Sequence, residues 1–245
     1  VMIGKMLEAA CDEVSRRHGK VDGGQVVVVA MGKLGGREMT ATSDLDLILI
    51  YDHTPDAQFS DGAKPLSVTQ YYARVTQRLI AAIASQTSEG SLFEVDMRLR
   101  PSGSQGPVAT SLASFRSYHA SSAWTWEKLA LSRARLVAGD ETLSGNVAVV
   151  IRDALCVRRD RAETVSDILE MRQRIFAEHG SDDPWSLKHV RGGMVDCEFI
   201  VQGLQILMAH DHPDILAENT AEAIEKLHAS GGIDAADRQM LRDAN

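Results

Sequence analysis

Residues 26–52 read VVVVAMGKLGGREMTATSDLDLILIYD, and the way this stretch divides decides the fold. The β-branched run Val26 to Val29 follows a Gly-Gly pair and reads as a buried strand. A second strand-like stretch runs from Asp44 to Tyr51, after the glycine-rich segment MGKLGG. Two neighbouring strands joined by a tight, unusual loop result. Because successive strand side chains alternate, Asp44 and Asp46 project from one face, within reach of a single cation. Asp is depleted in strands, so a pair of them opening an apolar strand directly after a glycine-rich turn and Ser43 conflicts with local propensity. Such conflict is expected at functional sites. Two acids placed this way repel unless a cation intervenes, and Mg²⁺ is held by one or two carboxylates plus substrate phosphates. Read in isolation, the same Asp-x-Asp also fits a solvent-facing strand edge.

Outward from this core, residues 2–18 place Ile3, Met6, Leu7, Ala10 and Val14 on one helical face, with Gly19 as the stop. Ser67 and Gln70 have the spacing of a capping box, and Val68, Tyr71, Tyr72, Val75, Leu79 and Ile83 follow at helical period. Residues 92–100, LFEVDMRLR, alternate as a third strand. Glu94, Asp96, Arg98 and Arg100 would share one face, and Val95, Met97 and Leu99 the other. That face offers Asp96 as a third carboxylate. Three carboxylates can hold two metal ions roughly 3.5–4 Å apart, one activating an attacking hydroxyl and the other steadying a pyrophosphate leaving group. Asp96 is also the candidate proton acceptor, because a hydroxyl is a weak nucleophile at neutral pH.

From about residue 111 the strand signal disappears. Helical periods cover 124–138, 142–155, 163–178, 194–210 and 219–229, with Gly139 and Gly231 as stops and Asp234 capping a further helix. The pattern predicts an α+β chain: a domain with a small mixed sheet over residues 1–140, then an all-α helical bundle over 141–245. The last helix has only two or three turns before the sequence stops, and the expectation is a fragment of something longer.

Several side chains admit two readings. Gly32, Gly35 and Gly36 either let backbone approach a triphosphate, with Lys33 or Arg37 supplying charge, or merely reverse the chain. Arg98 and Arg100 either clamp phosphate oxygens or pair with Glu94 and Asp96. Trp124 and Trp126 read as core or interdomain packing rather than a base-stacking platform. Glu127 either orients a metal-bound water or an Arg, or is a solvated helix residue. In LKHVRGGMVDCEF, Gly192 and Gly193 precede a helix whose free amides suit anionic oxygens, with Lys188 and Arg191 adding charge. Asp196 and Glu198 there also suit a helix dipole.

Composition narrows the partners. A formal charge of −8 gives no general attraction for nucleic acid. No apolar run approaches the ~20 residues of a membrane span. The 3 cysteines, Cys11, Cys156 and Cys197, lie far apart, which suggests neither a disulfide framework nor a zinc site. No export signal opens the sequence, so a cytoplasmic location is expected.

Four segments, MGKLGGREMTATSDLDLILIYD, FEVDMRLRPSGSQGP, AWTWEKLALSRARLVAGD and RGGMVDCEF, together resemble the bacterial glutamine synthetase adenylyltransferase/deadenylylase family. The resemblance spans nearly the whole chain. It implies a polymerase-β-type nucleotidyltransferase domain followed by helices, with metal ligands at Asp44, Asp46 and Asp96. It also implies Mg²⁺ as cofactor, ATP as substrate and glutamine synthetase as protein substrate. For the longer protein the resemblance implies the PII signal protein as a further candidate partner. Nucleotide contacts would fall to Gly32, Lys33, Gly35, Gly36, Ser43, Arg98, Lys188 and Arg191. Family members carry two similar halves, one adding AMP to a tyrosine of glutamine synthetase and one removing it by phosphorolysis. Trp124 alongside Trp126, and the PSG after Arg100, resemble the C-terminal, adenylylating half. The alternatives are the phosphorolytic half and a non-catalytic module that binds glutamine synthetase or PII.

Overall fold

A computed structural model of the chain describes all residues except Val1, Thr87, Glu89, Ser91, Leu92 and Pro184. The chain divides into two compact units. The first comprises residues 1–122 and 134–150, the second residues 123–133 and 151–245.

The first unit is a mixed sheet with helices. Helix α1 (Met2–His18) leads into β1 (Gln25–Ala30), the one-turn helix α2 (Gly32–Gly35) and β2 (Leu45–Asp52). Helix α3 (Val68–Ile83), strands β3 (Val95–Asp96) and β4 (Ala109–Ser111), and helix α4 (Leu112–Ser121) follow. After an excursion into the second unit the chain returns as β5 (Arg135–Gly139). The sheet order is β3-β2-β1-β5, with β4 also on β2. Strand β1 is antiparallel to β2 and β5, whereas β3 and β4 run parallel to β2. The expected mixed sheet is therefore present. Its centre is Val27 to Ala30 and Leu47 to Ile50, all buried because helices cover these strands. The expected face of α1 supplies Leu7, Ala10 and Val14 to one core with Tyr71, Tyr72, Val75, Leu79 and Ile83 of α3. Ser67 caps α3 by accepting the Gln70 N–H at 3.4 Å.

Two sequence expectations are corrected here. The extended run over 92–100 shrinks to Val95 and Asp96, Leu92 lying outside the described residues. Past Asp96 the chain turns, because the Arg98 N–H donates to Asp96 Oδ1 at 2.7 Å instead of entering a sheet ladder. Arg98 and Arg100 therefore do not share a strand face with Asp96. Arg100 instead locks the following loop, donating to the carbonyls of Met97, Gly106 and Pro107 at 2.7, 3.2 and 3.0 Å. The second correction concerns 124–138, read as one helix. It is α5 (Thr125–Leu131) followed by β5, which pairs with β1 across a register shift at Val28/Val29. Gly139 thus ends a strand at φ +121°, where a Cβ would lie 2.2 Å from the Val26 carbonyl oxygen.

The second unit holds α5, α7 (Arg161–His179), α8 (Met194–Met208), α9 (Thr220–Ala229) and α10 (Ala235–Ala244), and α6 (Glu141–Leu155) joins the two units. Cys197, Val201, Ile215, Ala223, Ile224, Leu227 and Leu241 form its core. Asp160, Asn219 and Asp234 cap their helices through side-chain oxygens, as residues of this type do at N-termini. Cys11, Cys156 and Cys197 form no disulfide among the described residues, and burial pushes the Cys11 thiol up to about 11, away from reactivity. Among the described residues no helix is long and apolar enough to cross a membrane.

Candidate active site

The first unit brings the acidic residues together at the start of β2. Leu45 is buried, so alternation turns its neighbours Asp44 and Asp46 away from the core. Asp44 lies just before the strand and is exposed; Asp46 is half-buried. Parallel pairing sets Leu45 against Val95 and Asp46 against Asp96, with the Leu45 N–H donating to the Glu94 carbonyl at 2.8 Å. Asp46 and Asp96 are thus neighbours across one register step. The third carboxylate expected from sequence stands beside the pair even though its strand is only two residues long.

The glycine-rich segment packs against these acids. The Met31 N–H donates to the Asp46 carbonyl at 2.9 Å, which carries the chain from β1 directly into α2 beside Asp46. Gly32 has φ +51°, and a Cβ there would lie 2.2 Å from Asp46 Oδ2, so any other residue strains the backbone and crowds that carboxylate. Gly35 and Gly36 are buried and Lys33 is half-buried. Arg37 takes a left-handed backbone, φ 60°, uncommon for a residue with a side chain. Ser43 closes its own turn: its hydroxyl accepts the Thr40 N–H at 3.0 Å and contacts the Thr40 hydroxyl at 2.9 Å.

One positioning residue escapes the sequence reading. Arg135 of β5 donates from Nε to the Gly35 carbonyl at 2.9 Å and from Nη2 to the Leu34 carbonyl at 2.7 Å. It thereby holds the end of α2 against the sheet. The arginine within SRARLV was its only signal, and the mistaken helix over 124–138 concealed it.

Asp96 is tied to Arg98. Arg98 Nε and Nη2 lie 2.8 and 2.5 Å from Asp96 Oδ2. Burial alone would push the Asp96 carboxyl up. The bonds from the Arg98 side chain and backbone, with the charges of Arg98 and Arg100, outweigh it and hold Asp96 below the ordinary carboxylate range. Among the described residues no three His, Cys, Asp or Glu side chains converge tightly enough to hold a metal ion. The donor chemistry nevertheless suits a hard cation, since the acids offer only oxygen. The Arg98 guanidinium already sits as a cation in the field of Asp96, Asp46 and Asp44.

The remaining candidates belong to the second unit. Lys188 and Arg191 are exposed in the turns before α8, and the Arg191 guanidinium lies 4.4 Å from the Phe176 ring centroid. Asp196 pins the start of α8 to α7, accepting from Arg172 Nε on one oxygen and from the Gly192 N–H at 2.6 Å on the other. Burial would raise the Asp196 carboxyl. The bonds from Arg172 and Gly192 and the charges of Arg172 and Arg191 hold it below its ordinary 3.8. A lowered folded-state value means that the stabilisation is complete above the unfolded value and is lost as pH falls through the folded one. Asp196→Asn is therefore expected to lower the melting point at neutral pH and to flatten its decline between about pH 5 and pH 2. An equally steep acid decline in the variant would remove Asp196 from this role.

Glu127 is not a solvated helix residue. It is buried, and its carboxylate caps α5 by accepting the Trp124 N–H at 2.8 Å. Trp124 departs from the packing expectation: it is 71% exposed.

Residues 1–148 match the family model described as glutamate-ammonia ligase adenylyltransferase. Relatives include proteins named bifunctional glutamine synthetase adenylyltransferase/adenylyl-removing enzyme. The Bradyrhizobium diazoefficiens relative is 47% identical over 237 residues, 97% of this chain and 24% of its own. The Rhodopseudomonas palustris relative is 47% identical over 243 residues, 99% of this chain and 24% of its own. The Brucella suis relative is 54% identical over 202 residues, 82% of this chain and 20% of its own. The chain spans about a quarter of the length of these relatives. The matched residues 1–148 make up more than half of the chain and contain the acidic strand pair and its glycine-rich loop, and the chain belongs to the glutamate-ammonia ligase adenylyltransferase family.

Proposed function

We propose that this chain carries a nucleotidyl-transfer centre that moves AMP from ATP to a tyrosine hydroxyl of glutamine synthetase. The observation that carries the reading is the register of Asp46 against Asp96, beside a glycine loop whose Gly32 abuts the Asp46 carboxylate. We read the first unit as a polymerase-β-type nucleotidyltransferase domain. Support comes from its mixed sheet and from the Asp-x-Asp that opens β2 beside a third acidic strand.

In the proposed reaction the tyrosine oxygen attacks the α-phosphorus of ATP, a new P–O bond forms, and the bond to pyrophosphate breaks. The phenolic proton passes to a carboxylate, for which Asp96 is the candidate. Asp44, Asp46 and Asp96 would hold Mg²⁺, which when bound supplies Lewis-acid stabilisation of the phosphate charge. Gly32, Gly35 and Gly36 let backbone approach the triphosphate, with Lys33, Ser43 and Arg98 as further contacts. Within the second unit, Lys188 and Arg191 in the turns before α8 are a separate candidate contact for phosphate.

The relatives are named for both adding and removing the adenylyl group, so the phosphorolytic direction is the specific rival. The pair Trp124 and Trp126, with PSG at 101–103, favours the adenylylating half through its family resemblance. With α-labelled ATP and Mg²⁺, label is expected on a glutamine synthetase tyrosine, with pyrophosphate released and chelator abolishing transfer. Formation of ADP from adenylylated glutamine synthetase and phosphate, without forward labelling, would reverse the assignment. Binding of glutamine synthetase or PII with no turnover would replace it by a docking module.

A further inference from the structure

Arg98 is 78% exposed, yet its side chain does not trail into solvent. It folds back on the acidic residue two positions earlier. Nε and Nη2 grip Asp96 Oδ2 at 2.8 and 2.5 Å, and its backbone N–H takes Oδ1 at 2.7 Å. One residue therefore occupies both oxygens of a carboxylate that lies in register with Asp46. The charges of Asp46 and Asp44 act on the guanidinium as well, after the bond to Asp96.

We propose that Arg98 is a counter-cation latch on the acidic cluster, holding Asp96 until a divalent cation arrives and releasing it when one binds. The inference rests on the metal-site reading above. A divalent cation drawn to Asp96 meets a guanidinium charge already seated on Oδ2, and the two cations repel, so each weakens the hold of the other. Displacement is easy because exposed ion pairs contribute little net stability, screened as they are by water and salt. While latched, Arg98 offsets the repulsion among the acids. The planar fork matters: two N–H groups of one guanidinium reach one carboxylate oxygen, which the point charge of a lysine cannot reproduce.

The test is Mn²⁺ alone, titrated into the full chain and followed by the loss of the free-ion EPR signal, with no nucleotide and no turnover. Arg98→Gln should tighten Mn²⁺ binding roughly twofold to fivefold, the range set by an exposed pair. Arg98→Lys, which keeps the charge and loses the fork, should show at least half of that gain. Binding unchanged or weakened in Arg98→Gln would overturn the latch, because Arg98 would then be orienting Asp96 rather than competing for it. An Arg98→Lys variant that matches the parent would also overturn it, leaving only a long-range effect of charge. In either case, loss of Mn²⁺ binding in Asp46→Asn would leave the metal-site reading standing. If the parent chain binds no Mn²⁺ that Asp46→Asn removes, the metal site and the latch fall together.

Discussion

Asp46→Asn is expected to lower AMP transfer at least about a hundredfold, the scale on which loss of a metal-orienting or proton-transferring group is felt. The substitution is nearly isosteric and removes one negative charge. Asp46 holds the fold through its backbone, pairing in register with Asp96 and accepting the Met31 N–H at 2.9 Å through its carbonyl, and neither depends on the side chain. Its carboxylate stands beside two others and in the field of the Arg98 guanidinium, so neutralising it removes repulsion and attraction together. The melting point should accordingly stay within about 2 °C of the parent. Transfer of label from α-labelled ATP and a thermal melt on the same preparation separate a lost active site from a lost fold. Transfer retained within a few fold would remove Asp46 from the chemistry and, with it, the strand-pair reading of the site.

What could be read from the sequence follows from how locally each element is determined. The two central strands were legible because their β-branched and apolar runs are buried on both faces, as Val27 to Ala30 and Leu47 to Ile50 are. The α1 and α3 stripes were legible because both helices present one face to the same core. Strand β5 was not. It is a five-residue edge strand whose residues are half-buried to exposed without alternation, so its pattern ran on from α5 as a helical period. Its identity comes from pairing with β1, more than a hundred positions earlier, which no window can see. The fate of Asp96 shows the same limit within a site. Alternation placed it correctly beside Asp46, but a bond between its carboxylate and a backbone N–H two residues on ends the strand and redirects Arg98 and Arg100. Which oxygen pairs with which guanidinium is decided by the folded loop, and so is the grip of Arg135 on Gly35.

Gly32→Ala should affect both stability and activity, in a ratio that reveals what the glycine is for. At φ +51° an L-residue costs about 1–2 kcal/mol relative to glycine. The new methyl carbon would also fall 2.2 Å from Asp46 Oδ2 and 3.1 Å from its Cγ, well inside contact distance. Asp46 cannot retreat toward the core, because Leu45 and Leu47 on either side are buried at 3% and 2% exposure. Either the loop lifts or the carboxylate swings. A displacement near 1 Å at a reacting centre costs on the order of a hundredfold in rate, whereas the backbone term alone removes only about 1–2 kcal/mol of stability. The control is Gly145→Ala, inside α6, where an added methyl carbon would have nothing within 4 Å; about 0.5–1 kcal/mol of stabilisation is expected there, with transfer unchanged. Melts and label transfer on the two variants should therefore diverge. If Gly32→Ala loses stability but keeps transfer within about threefold, the glycine serves the turn alone and the close approach to Asp46 has no part in the chemistry. If transfer falls by two orders of magnitude while most of the chain still melts cooperatively, the loop is holding the carboxylate in its working position.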